Sequence, residues 1–276
     1  MRSVRVALAM LVAALLPLSA QAWRTLDVSR QLRDTASLQV HVQYGAGRFG
    51  LKPTAGASMY QMSLRYDPSR GEPIHSFDEG AHAVRLGMRH GSVNLRGDEN
   101  GADLRLELTP KSAIDLSLDL GAAQADLDLS GLRLNSLTLT SGASETTVRF
   151  DSANAEHMRT LRMEVGAASL HALHLANANT DRMFVKAGVG QLDLDFSGTW
   201  SRDLEADLDV TLGGVSLHVP RDVGLSIELD KVLASFDHDG LTKRGGAYVS
   251  DNFDTARYKL RLHARTVFGK LEVERR

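Results

Sequence analysis

Gly121-Ala-Ala-Gln-Ala-Asp-Leu-Asp-Leu-Ser-Gly131 and Gly188-Val-Gly-Gln-Leu-Asp-Leu-Asp-Phe-Ser-Gly198 are two copies of one segment, identical at seven of eleven positions. Self-similarity at a fixed period marks stacked architectures, so the interval from Gly121 to Gly188 carries the argument. It fits one long repeat, or three short ones of roughly 22 residues. Reduced to a small residue, any residue, an apolar residue, any residue and another apolar residue, the motif recurs at Ala123, Ser144, Ala168, Gly190 and Gly213. The successive offsets are 21, 24, 22 and 23. The copies at Ser144 (with Thr146 and Val148) and Ala168 (with Leu170 and Ala172) are the weaker ones. Gly47 and Gly91 extend the series upstream, and Gly269 closes it after an interval more than twice the others. A second glycine often stands two positions earlier, at Gly45, Gly121, Gly142, Gly166 and Gly188.

Between these points lie segments that alternate apolar and polar residues: Ala113 to Leu120, Leu134 to Thr140, Leu161 to Val165, Leu204 to Leu212 and Leu260 to Val267. A period of two is that of a strand with one wet face. Glycine before the small position suits a sharp corner. Helix-like patterning is confined to Val28–Asp34 and Asn154–Arg159. The pattern predicts an all-β fold, a single-chain β-solenoid of about eight coils with a period of about 22 residues, in which each coil buries its Leu and Val only by stacking. A large β-sandwich is the alternative, but hairpin sandwiches seldom keep so regular a spacing. The expected organisation is residues 1–22 as a leader, 23–36 as an N-terminal cap segment and 37–276 as the solenoid. Ala55 to Gly91 fits the repeat poorly and reads as an insertion.

The stretch from Met1 to Ala22 supplies an address. Arg2 and Arg5 form a positive start, Val6 to Leu16 is an apolar run, Pro17 breaks it, and Ser19-Ala-Gln-Ala22 places small residues where a signal peptidase reads them. The run is too short for a bilayer core of about 30 Å. Cleavage is expected after Ala22, giving a periplasmic or secreted product without a transmembrane segment. Removing Arg2 and Arg5 from 32 basic residues leaves 30 against 34 acidic ones, a balance unsuited to nucleic acid. There is no Cys, which excludes a disulfide framework, a thiolate metal site, a cysteine nucleophile and a lipidated N-terminal cysteine.

Leu106 to Phe150 resembles the toast-rack domain family, which is related to bacterial wall-active-antibiotic response proteins and adhesin-like domains. The likeness rests on Leu129-Ser-Gly-Leu-Arg-Leu134, Leu137-Thr-Leu-Thr-Ser-Gly-Ala143, Leu212-Gly-Gly-Val-Ser-Leu-His-Val-Pro-Arg-Asp-Val-Gly224 and Phe268-Gly-Lys-Leu-Glu-Val273. The resemblance implies an all-β stack of short strands, an envelope location and no established catalytic activity.

Candidate chemistry is sparse. Asp126 and Asp128 hold the same repeat positions as Asp193 and Asp195, with Asp115, Asp119, Asp207 and Asp209 on neighbouring strands. Alternation sends Leu inward and these carboxylates outward, as a solvated face or as a row for a hard cation such as Ca²⁺. Phe236-Asp-His-Asp-Gly240 reads as a polar turn. His171 and His174 are three apart on a strand, hence on opposite faces, and do not make a zinc pair. There is no G-x-S-x-G, S-x-x-K or H-E-x-x-H. Trp23 and Trp200 are the only tryptophans a sugar platform could use. The irregular stretches Ala55–Ala83 and Lys243–Asn252, with Tyr60, Tyr66, Phe77, Tyr248 and Phe253, read as cap packing or as a partner surface. The expectation is no catalytic, cofactor-binding or metal residues, and a binding scaffold that contacts an envelope protein or surface polymer. An envelope-stress component and a carbohydrate-active enzyme using outward Asp are the competing readings.

Overall fold

The computed structural model describes residues 23–90, 101–238 and 240–276. The leader and the repeat copy at Gly91, Val93 and Leu95 lie outside the described residues. Fifteen strands follow in order: β1 (Arg24–Gln31), β2 (Leu38–Pro53), β3 (Ser58–Tyr66), β4 (Gly71–Asp78), β5 (Ala83–His90), β6 (Asp103–Leu108), β7 (Ala113–Asp128), β8 (Arg133–Arg149), β9 (Thr160–Leu173), β10 (Arg182–Asp195), β11 (Leu204–Val219), β12 (Gly224–Asp237), β13 (Leu241–Arg244), β14 (Ala247–Ser250) and β15 (Lys259–Arg275). The one helical element among the described residues is a 3-10 turn at Leu175–Ala178.

Each long strand is one coil, bent at its middle into two arms. In β7, Ile114, Leu116, Leu118 and Leu120 are buried, and after the bend Ala123, Ala125 and Leu127 are. The inward positions change from even to odd numbers, so the corner adds one residue to the alternation and keeps both arms facing one core. Coils stack in parallel and in register. Val42, Leu118, Leu139, Met163, Val185, Leu208 and Ala264 form one inward ladder, rung on rung. Rungs about 4.8 Å apart put these side chains in continuous contact, and burying one Leu contributes about 1.5–3 kcal/mol.

The corner explains the glycines. Gly190, Gly213 and Gly269 stack on one another. Gly213 has φ 148°, and a Cβ placed on it would lie 1.8 Å from the carbonyl oxygen of Gly190. Ala123, Ser144 and Ala168 hold the same column without a positive φ. The corner therefore has two backbone forms, one of which glycine alone permits.

The coils do not stack in sequence order. β15 lies between β11 and β12, pairing in parallel with both. At the other end β2 pairs with β7 on one side and with β5 and β6 on the other. The β5 strand is thus a rung of the stack, which corrects the reading of Ala55–Gly91 as an insertion. Only β3 and β4 in that stretch depart from the stack, lying antiparallel on β6 and β5. β1 covers β3, and the β13–β14 hairpin covers the first arm of β12. The helix-like stretches are not helical. Val28 to Gln31 belongs to β1, where pairing with Met62 to Ser58 overrides local pattern. Asn154 to Arg159 is a return loop whose buried Asn154 bonds neighbouring coils.

Candidate functional site

The two arms leave two outer faces, each ruled by rows of polar side chains that repeat from rung to rung. On the second-arm face the repeated aspartates separate into two jobs. Asp126 points outward and accepts from Nη1 of Arg149, one rung away, at 2.8 Å. Asp193 lies in the equivalent row and meets histidines. Its Oδ1 lies 2.8 Å from Nε2 of His218, outside hydrogen-bonding alignment, and its Oδ2 lies 3.6 Å from Nδ1 of His171. His218 reaches Oε2 of Glu274 with Nδ1 at 2.9 Å, and Glu274 also accepts from Arg276. Asp128 and Asp195 instead close their own strands: each accepts the backbone N–H two positions on, from Ser130 at 3.1 Å and Ser197 at 2.9 Å. This is why the repeat reads Asp-x-Ser-Gly, since an aspartate that accepts from i+2 makes a turn.

On the first-arm face Asp115 accepts from Ser136 at 2.6 Å and Arg159 at 2.9 Å, while Asp119 lies 3.5 Å from His41. Farther along, Arg162 lies over the ring of Phe184 at 4.7 Å, Arg265 approaches Asp209 at 3.6 Å, and His263 approaches Glu228 at 3.2 Å. These groups and Asp207 line an open depression of about 390 Å³. A larger one of about 730 Å³ lies between the β4–β5 hairpin and the same face, lined by Gln39, His41, Gln43, Arg85, Ser117 and Thr138 among others. A third, of about 410 Å³, lies on the second-arm face around Arg48, Asp103, Arg105, Gln124, Asp126 and Arg149.

The arrangement offers many exposed hydrogen-bonding groups over a long surface and little enclosure. Lateral pairs between partly exposed charges contribute little stability each, but they hold side chains in fixed rows. Burial raises the phenol of Tyr60, whose hydroxyl meets His75 at 2.9 Å under the β4 strand. Among the described residues no group of three or more His, Cys, Asp or Glu is gathered to hold a metal ion. His174 is turned away from His171 and pairs with Asp151 at 3.0 Å. Trp200 donates Nε1–H to the carbonyl of Phe196 at 3.0 Å and packs against the core, and Trp23 has Arg65 over its ring at 4.2 Å. Phe236 and Asp237 end β12, and Gly240 has φ 73°, a turn position. Tyr248 packs edge-on against Phe236 at 4.8 Å.

Sequence reasoning missed the asparagines of the return loops. Asn154 accepts from the N–H of Leu134 at 3.0 Å and donates to the carbonyls of Leu134 at 2.8 Å and Ala178 at 3.2 Å. Asn177 donates to the Phe150 carbonyl and accepts from the Thr199 N–H, both at 2.7 Å. The signal was present as Ala153-Asn-Ala155 and Ala176-Asn-Ala178, one repeat period apart.

Among the described residues no helix is long and apolar enough to cross a membrane. No curated protein matches the chain. A solved structure described as a "putative cell adhesion protein" from Clostridium sporogenes is similar at 14% identity, covering 92% of this chain and 100% of that one, with a TM-score of 0.44. A "putative lipid binding protein" from Parabacteroides distasonis follows at 10% identity, 91% and 97% coverage and a TM-score of 0.38. A "putative adhesin" from Parabacteroides merdae has 9% identity, 91% and 96% coverage and a TM-score of 0.32. The model of the N-terminal domain of toast_rack, DUF2154, matches residues 20–171, more than half of the sequence, and with its in-register stack of bent strands the chain belongs to the toast-rack family.

Proposed function

We propose that this protein is an exported, non-catalytic scaffold of the bacterial envelope that binds a protein or surface polymer along its polar outer faces. The observation that carries the reading is the pair of long faces whose side chains stand in rows fixed by rung register, as in Asp126 with Arg149 and Arg265 with Asp209. Such a surface suits many weak, repeated contacts with an extended partner better than it suits one enclosed substrate. The leader pattern of residues 1–22, with cleavage after Ala22, supports a periplasmic or secreted product, and residues 23–36 with 37–276 form the exported part. Membership of the toast-rack family supports the envelope setting.

The test is capture by the purified protein from envelope extracts and on arrays of surface polysaccharides. Retention of a defined protein or polymer, weakened at least tenfold by Arg162→Glu with Arg265→Glu or by Arg48→Glu with Arg149→Glu, is expected. No retained partner in either format overturns the reading. Turnover of a polysaccharide that stops with Asp126→Asn or Asp193→Asn replaces it with an enzymatic one.

A further inference from the structure

The large apolar side chains that are exposed among the described residues gather in one place. Val189, Leu212, Phe268 and Leu233 hold the same corner position on four adjoining rungs, and Val232 precedes Leu233. The corresponding corners toward the other end carry Ala46, Ala122, Ala143 and Ala167. The ridge thus carries large apolar side chains from β10 to β12 and is most exposed on β12, where Val232 is 70% and Leu233 69% exposed. There it meets an open strand edge. β14 covers β12 through Ser226 and Ile227 alone, whereas residues 228–237 pair with β15 on one side and with no strand on the other, among the described residues. An unpaired edge flanked by exposed apolar side chains is poised to pair with another strand.

That edge is complementary to itself. It reads Lys231-Val-Leu-Ala-Ser-Phe-Asp237. Turned end for end about Ala234, it sets Val232 against Phe236, Leu233 against Ser235, and register position 231, a lysine in the sequence, against Asp237. A β-branched residue opposite an aromatic one, and opposite charges at paired positions, are favourable cross-strand combinations. Phe236 stands in a small aromatic group with His238 and Tyr248, at ring separations of 5.2 and 4.8 Å, which gives the incoming Val232 an apolar seat.

We propose that the protein forms a two-fold dimer in which the second arms of β12 from two copies pair antiparallel, centred on Ala234. A pairing of identical edges closes on itself, so it yields dimers and not filaments. One strand pair with its corner is smaller than a standard interface of about 800 Å² per partner, so the dimer is expected to be weak, with a dissociation constant on the order of 10 µM. This inference is independent of the binding role of the outer faces.

Sedimentation of the untagged protein should show a shift from one chain to two as its concentration rises through that value. Val232→Lys and Leu233→Lys change exposed side chains and should raise the dissociation constant more than tenfold. Leu212→Lys, on the same ridge but two rungs from the edge, should change it less than threefold. The chain has no Cys, so Ala234→Cys carries a single thiol, which should form an interchain disulfide on oxidation while Leu212→Cys should not. A monomer at all concentrations, polymers that keep growing, a dimer indifferent to Val232→Lys and Leu233→Lys, or a dimer of folded Ala234→Cys that does not cross-link overturns the proposal.

Discussion

Replacing Gly213 by alanine tests the corner more sharply than any core truncation. Gly213 has φ 148°, a conformation left almost entirely to glycine, and forcing an L-residue into it costs about 1–3 kcal/mol. The added Cβ would also stand 1.8 Å from the Gly190 carbonyl oxygen and 2.8 Å from its carbon. Ordinary contact needs well over an ångström more, and the obstacle is backbone, so two rungs must part at the corner. Each ladder hydrogen bond lost there removes about 1 kcal/mol. The sum is about 3–5 kcal/mol against a total stability of about 5–15 kcal/mol. At about 2–4 °C per kcal/mol the midpoint should fall by about 6–20 °C. The assay is thermal and urea unfolding followed by circular dichroism. Because a stack need not melt all at once, amide exchange should place the lost protection at the corners of β10, β11 and β15. Two controls grade the effect. Gly142→Ala would bring its Cβ 3.1 Å from the Gly121 oxygen at an ordinary φ and should cost about 1 kcal/mol. Gly50 has nothing within 4 Å of its Cβ site, and Gly50→Ala should be neutral or slightly stabilising. A Gly213→Ala protein within about 1 kcal/mol of the original, or no less stable than Gly50→Ala, refutes the corner argument.

Three further outcomes are expected. Asn154→Ala strands the buried N–H and C=O of Leu134 and the carbonyl of Ala178, and should cost about 3 kcal/mol in urea unfolding; a loss below about 1 kcal/mol would show that water replaces the side chain. Tyr44 is held far above the ordinary phenol value, first by burial and then by Asp103. A raised folded value means that its contribution is whole below the unfolded value of about 10 and is lost as pH climbs beyond it. Tyr44→Phe should therefore lose less stability than the original between about pH 9 and pH 11, and equal losses would sink the assignment. Arg276 donates to Glu274 and lowers its carboxyl value, with His218 adding to the effect. A lowered value means that this small contribution is present above the unfolded carboxylate value and fades as pH falls through the folded one. Arg276→Ala should move the Glu274 carboxyl titration, read by NMR, up toward the ordinary range; an unmoved titration would show that the contact does not persist in solution.

What is legible in the sequence is what depends on one coil alone. Alternation places Leu127 and Leu194 inside and Asp126 and Asp193 outside, because side-chain direction follows from the strand period. The weak copy at Ser144 also has a local cause. Thr146 is fully buried in a ladder position, and Ser141, Ser144 and Thr146 bond one another at 2.6 and 3.2 Å, so hydroxyls replace apolar atoms without being stranded. Relations between coils are not legible. Ala234 follows Gly213 by a full period, but His238 stands where the second apolar residue belongs, so the motif skips it and ends on Gly269. In space Gly269 stacks directly on Gly213, and Ala234 stacks on Gly269. The overlong interval before Gly269 is the trace of that exchange. The partners of the outward aspartates are hidden for the same reason: Arg149 and His218 reach Asp126 and Asp193 only through inter-rung register.

The exchange recurs at both ends, and its mechanical meaning is the same. In a sequential stack the last coil can peel away by breaking one interface. Here the outermost long rung, β12, is tied to β11 by the short link Pro220–Val223, while β15 lies between them and bonds both. Peeling β12 therefore exposes one side of β15, and withdrawing β15 breaks two ladders at once. At the other end β2 is held in the same way between the β5 and β6 rung and β7, although it precedes β5 and β6 in the chain. Each exchanged strand pairs with residues far away in sequence, such as Leu38 with Ile114, so it seats only after much of the stack exists. Late seating and a penultimate rung held on both sides follow from one topology. A chain without a single cysteine gains from it a non-covalent restraint on the rung next to each end of the stack, comparable to what disulfides give other folds.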